Sequence, residues 1–171
     1  GAGGNTAVFV TATGVVLVDT KVPNNGQAIL DQVRSVTARP VTTIINTHSH
    51  GDHVNGLVGA DGALAFTNAT IHISANEWAA MQSNAQLASL VTAITPRVEP
   101  FQAGATLVPG TVEAVDIQGH TPGHSGYLIT SGEASLLYIG DTMHHFVISV
   151  QRPDWTIAFD ADAPLAQTSR R

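Results

Sequence analysis

The chain has 171 residues, enough for one domain, and its 43% hydrophobic and 12% charged residues exclude a disordered chain. Seven Lys and Arg stand against 13 Asp and Glu, a formal charge of −6, which argues against a basic groove for a nucleic-acid partner. The longest purely aliphatic run, Val15 to Val18, falls far short of the ~20 apolar residues of a bilayer span, and a cysteine-free chain has no disulfide, thiolate metal site or Cys nucleophile.

Thr6 to Thr11 and Gly14 to Asp19 read as two strands of a hairpin. Ile29, Leu30, Val33 and Val36 then recur at helical spacing until Pro40. The β-branched stretch Val41 to Asn46 reads as a buried strand, followed by a polar, histidine-rich loop from Thr47 to Gly56. Ala69 to Ile73 reads as a strand, and Ser74 with Glu77 fits a capping box opening a helix through Trp78 and Met81. A second helical stretch spans Asn84 to Ile94. Thr111 to Ile117 is a strand, Gly119 to Gly126 a second histidine loop, and Tyr127 to Thr130 with Ser135 to Ile139 a hairpin. Asp141 to His145 is a polar patch at a strand end, and Trp155 to Phe159 reads as a last short strand. Asp162 as N-cap and Pro164 near the first helical position announce a helix that Arg170-Arg171 stops within about two turns. At the other end, Gly1-Ala2-Gly3-Gly4-Asn5 lacks an initiator Met, and an upstream leader could have been removed.

Five of the eight histidines fall in two short clusters. In Thr47-His48-Ser49-His50-Gly51-Asp52-His53, three imidazoles and a carboxylate follow a buried strand directly. Imidazole nitrogen and carboxylate oxygen suit zinc and similar metals, and alternation lets His48 and His50 point the same way from an extended backbone. A solvated histidine loop is the bland alternative, but four potential ligands at a strand's carboxyl end make good site geometry.

These residues resemble the H-x-H-x-D-H signature of the metallo-β-lactamase-fold hydrolases, matched by His48, His50, Asp52 and His53. The other motifs follow in order: Asp19 as the strand-end aspartate, Gly119-His120-Thr121-Pro122-Gly123-His124 as written in the lactonase and glyoxalase II branches, and Gly140-Asp141-Thr142. The resemblance implies an α/β fold, an αβ/βα four-layer sandwich, with the whole chain, 1–171, as one such domain lacking the final strand–helix unit. It implies that His48, His50 and His120 hold one metal while Asp52, His53 and a bridging Asp141 hold a second. Zinc is the expected ion, one or two per chain, with iron, manganese or cobalt as substitutes. A metal-bound hydroxide would be the nucleophile, with Asp52 orienting it or shuttling its proton. Asp19 and His124 would support the ligands from behind.

One departure weakens the second metal position. The family's last ligand is a histidine beyond a further strand–helix unit, and here no histidine follows His145. His144 and His145 are the nearby substitutes, although an active-site wall or a helix start explains them as well. The second metal is therefore expected to bind weakly, and a fragment, a homo-oligomer or a borrowed element would each account for the missing segment.

Gly56 to Trp78 and Trp155 to Asp160 further resemble the methyl parathion hydrolase and lactonase-like branch. The expected activity is hydrolysis of a small-molecule ester, lactone or organophosphate, with β-lactams a weaker candidate. A mononuclear iron persulfide dioxygenase using His48, His120 and Asp141, or a metal-binding fragment without activity, are the competing readings. His72 reads as an ordinary strand histidine, Trp78 and Trp155 as core or pocket wall, and Glu77 as a capping residue. The compartment, cytoplasmic or exported, is not legible.

Overall fold

The computed structural model describes residues 3–171. The chain divides into two compact units, Gly1–Ile73 with Met81–Pro100 and Ser74–Ala80 with Phe101–Arg171.

In the first unit, β1 (Ala7–Val10) and β2 (Val15–Val18) form the expected hairpin, closed by Thr11 N–H donating to Gly14 O at 2.8 Å. Helix α1 (Gly26–Val36) buries Ile29 and Val33, then β3 (Val41–Ile45) runs parallel to β2. The short helix α2 (Gly51–Val54) and a 3-10 turn (Asn55–Leu57) follow β3, and β4 (Thr70–Ser74) pairs parallel to it. After α3 (Ala75–Ser83), most of which belongs to the second unit, and α4 (Ala88–Ile94), β5 (Val98–Phe101) completes a five-stranded sheet in the order β1-β2-β3-β4-β5. All four β2 residues are buried, as expected where a parallel strand is covered on both faces. Aliphatic side chains of β2, β3 and β4 therefore form the unit's core, and polar chemistry is displaced to the strand ends.

The second unit carries an antiparallel sheet in chain order, β6 (Thr106–Val108), β7 (Val112–Asp116), β8 (Ser125–Ser131) and β9 (Ala134–Tyr138). Its core includes Val112, Ala114, Ile129 and Tyr127, whose ring meets Phe101 at 6.3 Å between centroids. A 3-10 turn (Gly140–Thr142), α5 (Ile148–Gln151) and α6 (Ala163–Ser169) complete it. Asp162 caps α6 as expected, accepting from Leu165 N–H at 3.0 Å.

Three expectations are corrected. Trp155 to Phe159 is not a strand: its backbone turns, with Asp160 N–H donating to Ile157 O, and the Trp155 carbonyl accepts from Arg170 instead of a ladder. Trp155 is 56% exposed, so it is not part of the core. The helix expected from Asn84 begins as a 3-10 turn (Ala85–Leu87) before α4. Strands β5 and β6 carry no clear signal in the sequence, because Glu99 and Pro100 interrupt any alternation in one and the other has only three residues.

His72 is half-buried on β4, between the buried Ile71 and Ile73. Burial pushes its imidazole below the usual pKa, outweighing the charge and backbone hydrogen bond of Glu99. The folded state then binds fewer protons than the unfolded chain below about pH 6.5, so this contribution is complete above that pH and lost as pH falls through it. We expect His72→Gln to lose less stability than the parent between about pH 7.5 and pH 5.5 in urea unfolding, the range around the unperturbed histidine value. Equal losses in the two proteins would show that His72 does not contribute.

Candidate metal centre

In the first unit the candidate ligands are arranged around Asp19. This residue ends β2 with a positive φ of 62°, a conformation that Asp tolerates better than most residues, and it is wholly buried. The turn aims its carboxylate at the loop after β3. Oδ1 accepts from Thr47 N–H at 2.8 Å, and Oδ2 accepts from Thr47 Oγ1 at 2.9 Å and from His53 Nδ1 at 2.8 Å. Because the single Thr47 hydroxyl proton goes to Asp19, Thr47 Oγ1 can only accept from His48 Nδ1, 2.9 Å away. One carboxylate thus sets the protonated nitrogen of His53 directly and of His48 through Thr47. In both rings the lone pair falls to Nε2, the atom a metal needs.

His48 and His53 are buried, with ring centroids 4.1 Å apart, and His50 meets His48 edge-on at 4.7 Å. His48 and His50 offer ligand atoms within 4.8 Å of each other. His50 precedes α2 in extended conformation, which starts the helix so that Asp52 lies in its first turn. Asp52 Oδ2 lies 3.7 Å from His53 Nε2, and its side chain is 44% exposed.

The second unit supplies His120 and Asp141, again with ligand atoms within 4.8 Å and with His120 Nε2 at 3.7 Å from Asp141 Oδ2. His120 Nδ1 bonds Asp160 Oδ1 at 3.1 Å, so this ring too presents Nε2. His124 differs: its Nδ1–H donates to Ile117 O at 3.2 Å, and its Nε2 accepts the Asp141 backbone N–H at 3.2 Å. His144 Nε2 is 3.3 Å from Asp141 Oδ2, whereas His145 Nδ1 accepts the N–H groups of Val147 and Ile148 at the start of α5. His48, His53 and His120 have the opposite nitrogen committed, and imidazoles with carboxylate oxygens make a donor set that fits zinc.

Glu77 does more than the expected capping. Ser74 Oγ accepts from Glu77 N–H at 3.2 Å, but the buried Glu77 carboxylate accepts from Thr121 Oγ1 at 2.7 Å and Gly123 N–H at 2.8 Å. It braces the loop between the two histidines, and a Cβ at Gly123 would meet Glu77 N at 2.2 Å. Sequence reasoning misses Asp160 and Arg170. Asp160 falls just past the expected strand Trp155 to Phe159, and Arg170 reads as a helix stop.

A model of the metallo-beta-lactamase superfamily matches residues 1–170. The chain belongs to this superfamily. It is a mixed α/β chain with two sheets and helices, as its structural neighbours are. AidC, a dizinc quorum-quenching lactonase solved with a product, is 26% identical with a TM-score of 0.86 over 96% of this chain and 65% of its own. The hydrolase AbOPH is 26% identical with a TM-score of 0.78 over 95% of this chain and 64% of its own. The uncharacterized protein YobT of Bacillus subtilis (strain 168) is 27% identical over 68% of this chain. The chain spans 52% of the length of that relative. Among the described residues, no helix is long and apolar enough to cross a membrane.

Asp19→Asn keeps the shape and tolerates the positive φ, but it sets an amide against donors that now meet a carboxylate. Leaving a buried donor unsatisfied costs about 1–3 kcal/mol. We expect a loss of that size in urea unfolding of the metal-free protein. An unchanged midpoint would show that the carboxylate is not needed there.

Proposed function

We propose that this superfamily member is the metal-binding part of a hydrolase for neutral esters, lactones or organophosphate triesters. In this reading His48, His50, His120 and Asp141 are the ligands of one metal ion, zinc by donor chemistry. Asp52, His53 and the same Asp141 take a second ion, with His144 as the imidazole able to supplement them.

The observation that carries the reading is the hydrogen-bond pattern of the imidazoles. His48, His53 and His120 each commit Nδ1 to an oxygen partner, which leaves Nε2 to the metal. The dizinc lactonase and the hydrolase among its relatives support the reaction class. When bound, the metal supplies a water of lowered pKa and polarises the substrate carbonyl or phosphoryl oxygen. The chain's own work is to hold the ligand rings still and to manage a proton. Asp52 is the carboxylate suited to managing the proton. Partly exposed at the start of α2, it can orient a water molecule and accept its proton at Oδ2. His124 holds the backbone of Asp141 and has no lone pair left for a ligand bond.

The test loads the purified chain with zinc, cobalt or manganese, dialyses it, and measures metal content and turnover on ester, lactone and phosphotriester panels. We expect His48→Ala and His120→Ala to lower the metal retained and abolish hydrolysis, and His124→Ala only to weaken both. A folded His48→Ala protein with unchanged metal content would reject the ligand set. Stoichiometric iron with sulfite production would replace the hydrolase reading with a persulfide dioxygenase.

A further inference from the structure

We propose that Asp160 and Arg170 are a positioning pair for the metal centre, holding the His120 ring in its ligating tautomer and tying it to the turn that carries Asp141. The proposal rests on the reading of His120 and Asp141 as ligands.

The side chains of Asp160 and Arg170 are 0% and 1% exposed. Asp160 divides its two oxygens: Oδ1 faces His120 Nδ1 at 3.1 Å, and Oδ2 accepts from Arg170 Nη2 at 2.8 Å. With Oδ2 paired to the Arg170 guanidinium, Asp160 faces His120 as an acceptor, so the proton between them sits on Nδ1 and the Nε2 lone pair faces away.

Arg170 extends the hold to the other ligand. Its Nε donates to Thr142 O at 2.6 Å, one residue beyond Asp141, and its Nη1 to Trp155 O at 3.0 Å. The segment around Asp160 is laced to the histidine loop as well. Ala161 N–H donates to His120 O at 3.1 Å and Asp162 N–H to Gly119 O at 2.9 Å. At the far end of α6, Ser169 Oγ donates to Gln118 O at 2.6 Å. A planar guanidinium with several donors in fixed directions suits a link between two ligand-bearing turns, which a lysine could not reproduce.

The experiment reads tautomer and metal affinity separately. In the metal-free protein, imidazole nitrogen–proton correlation spectra are expected to show His120 protonated at Nδ1. Asp160→Asn can turn its amide donors toward Nδ1, and we expect the Nε2-protonated form to appear. Cobalt affinity, measured by chelator competition, is expected to fall about 10–100-fold, the usual effect of losing a group behind a ligand. Arg170→Lys should give a smaller loss of the same kind, and it decides the matter if Asp160→Asn does not fold. A folded variant with unchanged tautomer and unchanged cobalt affinity overturns the proposal, and so does a tautomer shift that leaves affinity untouched. His120→Ala keeps the two readings apart: cobalt binding that survives it rejects His120 as a ligand, whereas its loss beside unchanged Asp160→Asn binding rejects only the positioning pair.

Discussion

An imidazole is useful to a metal only when one nitrogen keeps its lone pair and the ring is held in place. In each unit a buried carboxylate imposes both conditions. Asp19 fixes His53 directly and His48 through Thr47, and Asp160 fixes His120. Carboxylates serve here because, once ionised, they only accept, so the proton's position on the facing ring is not in question. A hydroxyl alone would leave the direction open. Thr47 becomes unambiguous only because Asp19 takes its proton.

Holding these carboxylates in place constrains the backbone more than the side chains. Asp19 can turn back on the loop after β3 because its φ is positive. The loop in turn closes on the strand end: Thr20 N–H donates to His53 O at 2.7 Å and Gly56 N–H to Lys21 O at 3.0 Å. The approach is so close that a Cβ at Gly56 would lie 1.8 Å from Thr20 O. The second unit repeats the device at Gly119, where φ is +125° and a Cβ would lie 2.1 Å from Ala166 N. Glycine stands where main chain must touch main chain, and each close approach sits beside a histidine loop.

Such constraints decide what the sequence makes legible. The parallel strands announce themselves because β2 and β3 are β-branched runs buried on both faces, and the metal motifs because ligand spacing is a local property. The caps at Ser74 and Asp162 are legible for the same reason. The partners of the ligands are not, except where a motif marks them, as at Asp19. Asp160 lies 40 residues from His120, and Arg170 lies 28 from Thr142. Nothing in the local pattern of Ile157-Ala158-Phe159-Asp160 says that the aspartate side chain is buried while Phe159 beside it is 72% exposed. That stretch has strand composition, and it misleads because the Trp155 carbonyl answers to a guanidinium rather than to a neighbouring strand. Glu77 shows the same limit, since its spacing to Ser74 fits a cap and conceals the carboxylate's long-range hydrogen bonds.

The two histidines of Gly119-His120-Thr121-Pro122-Gly123-His124 sharpen the point, because they are chemically identical and four residues apart. Both rings are buried, and both donate from Nδ1 to an oxygen. What separates them is the group that meets Nε2. At His124 it is the backbone N–H of Asp141, which consumes the lone pair and fixes the main chain of that residue. At His120 it is the Asp141 carboxylate, 3.7 Å away, an acceptor facing an acceptor. In the proposed reading, a cation held by both groups would answer the two acceptors. The same aspartate therefore separates the roles of the two histidines, by its amide at one and its carboxylate at the other.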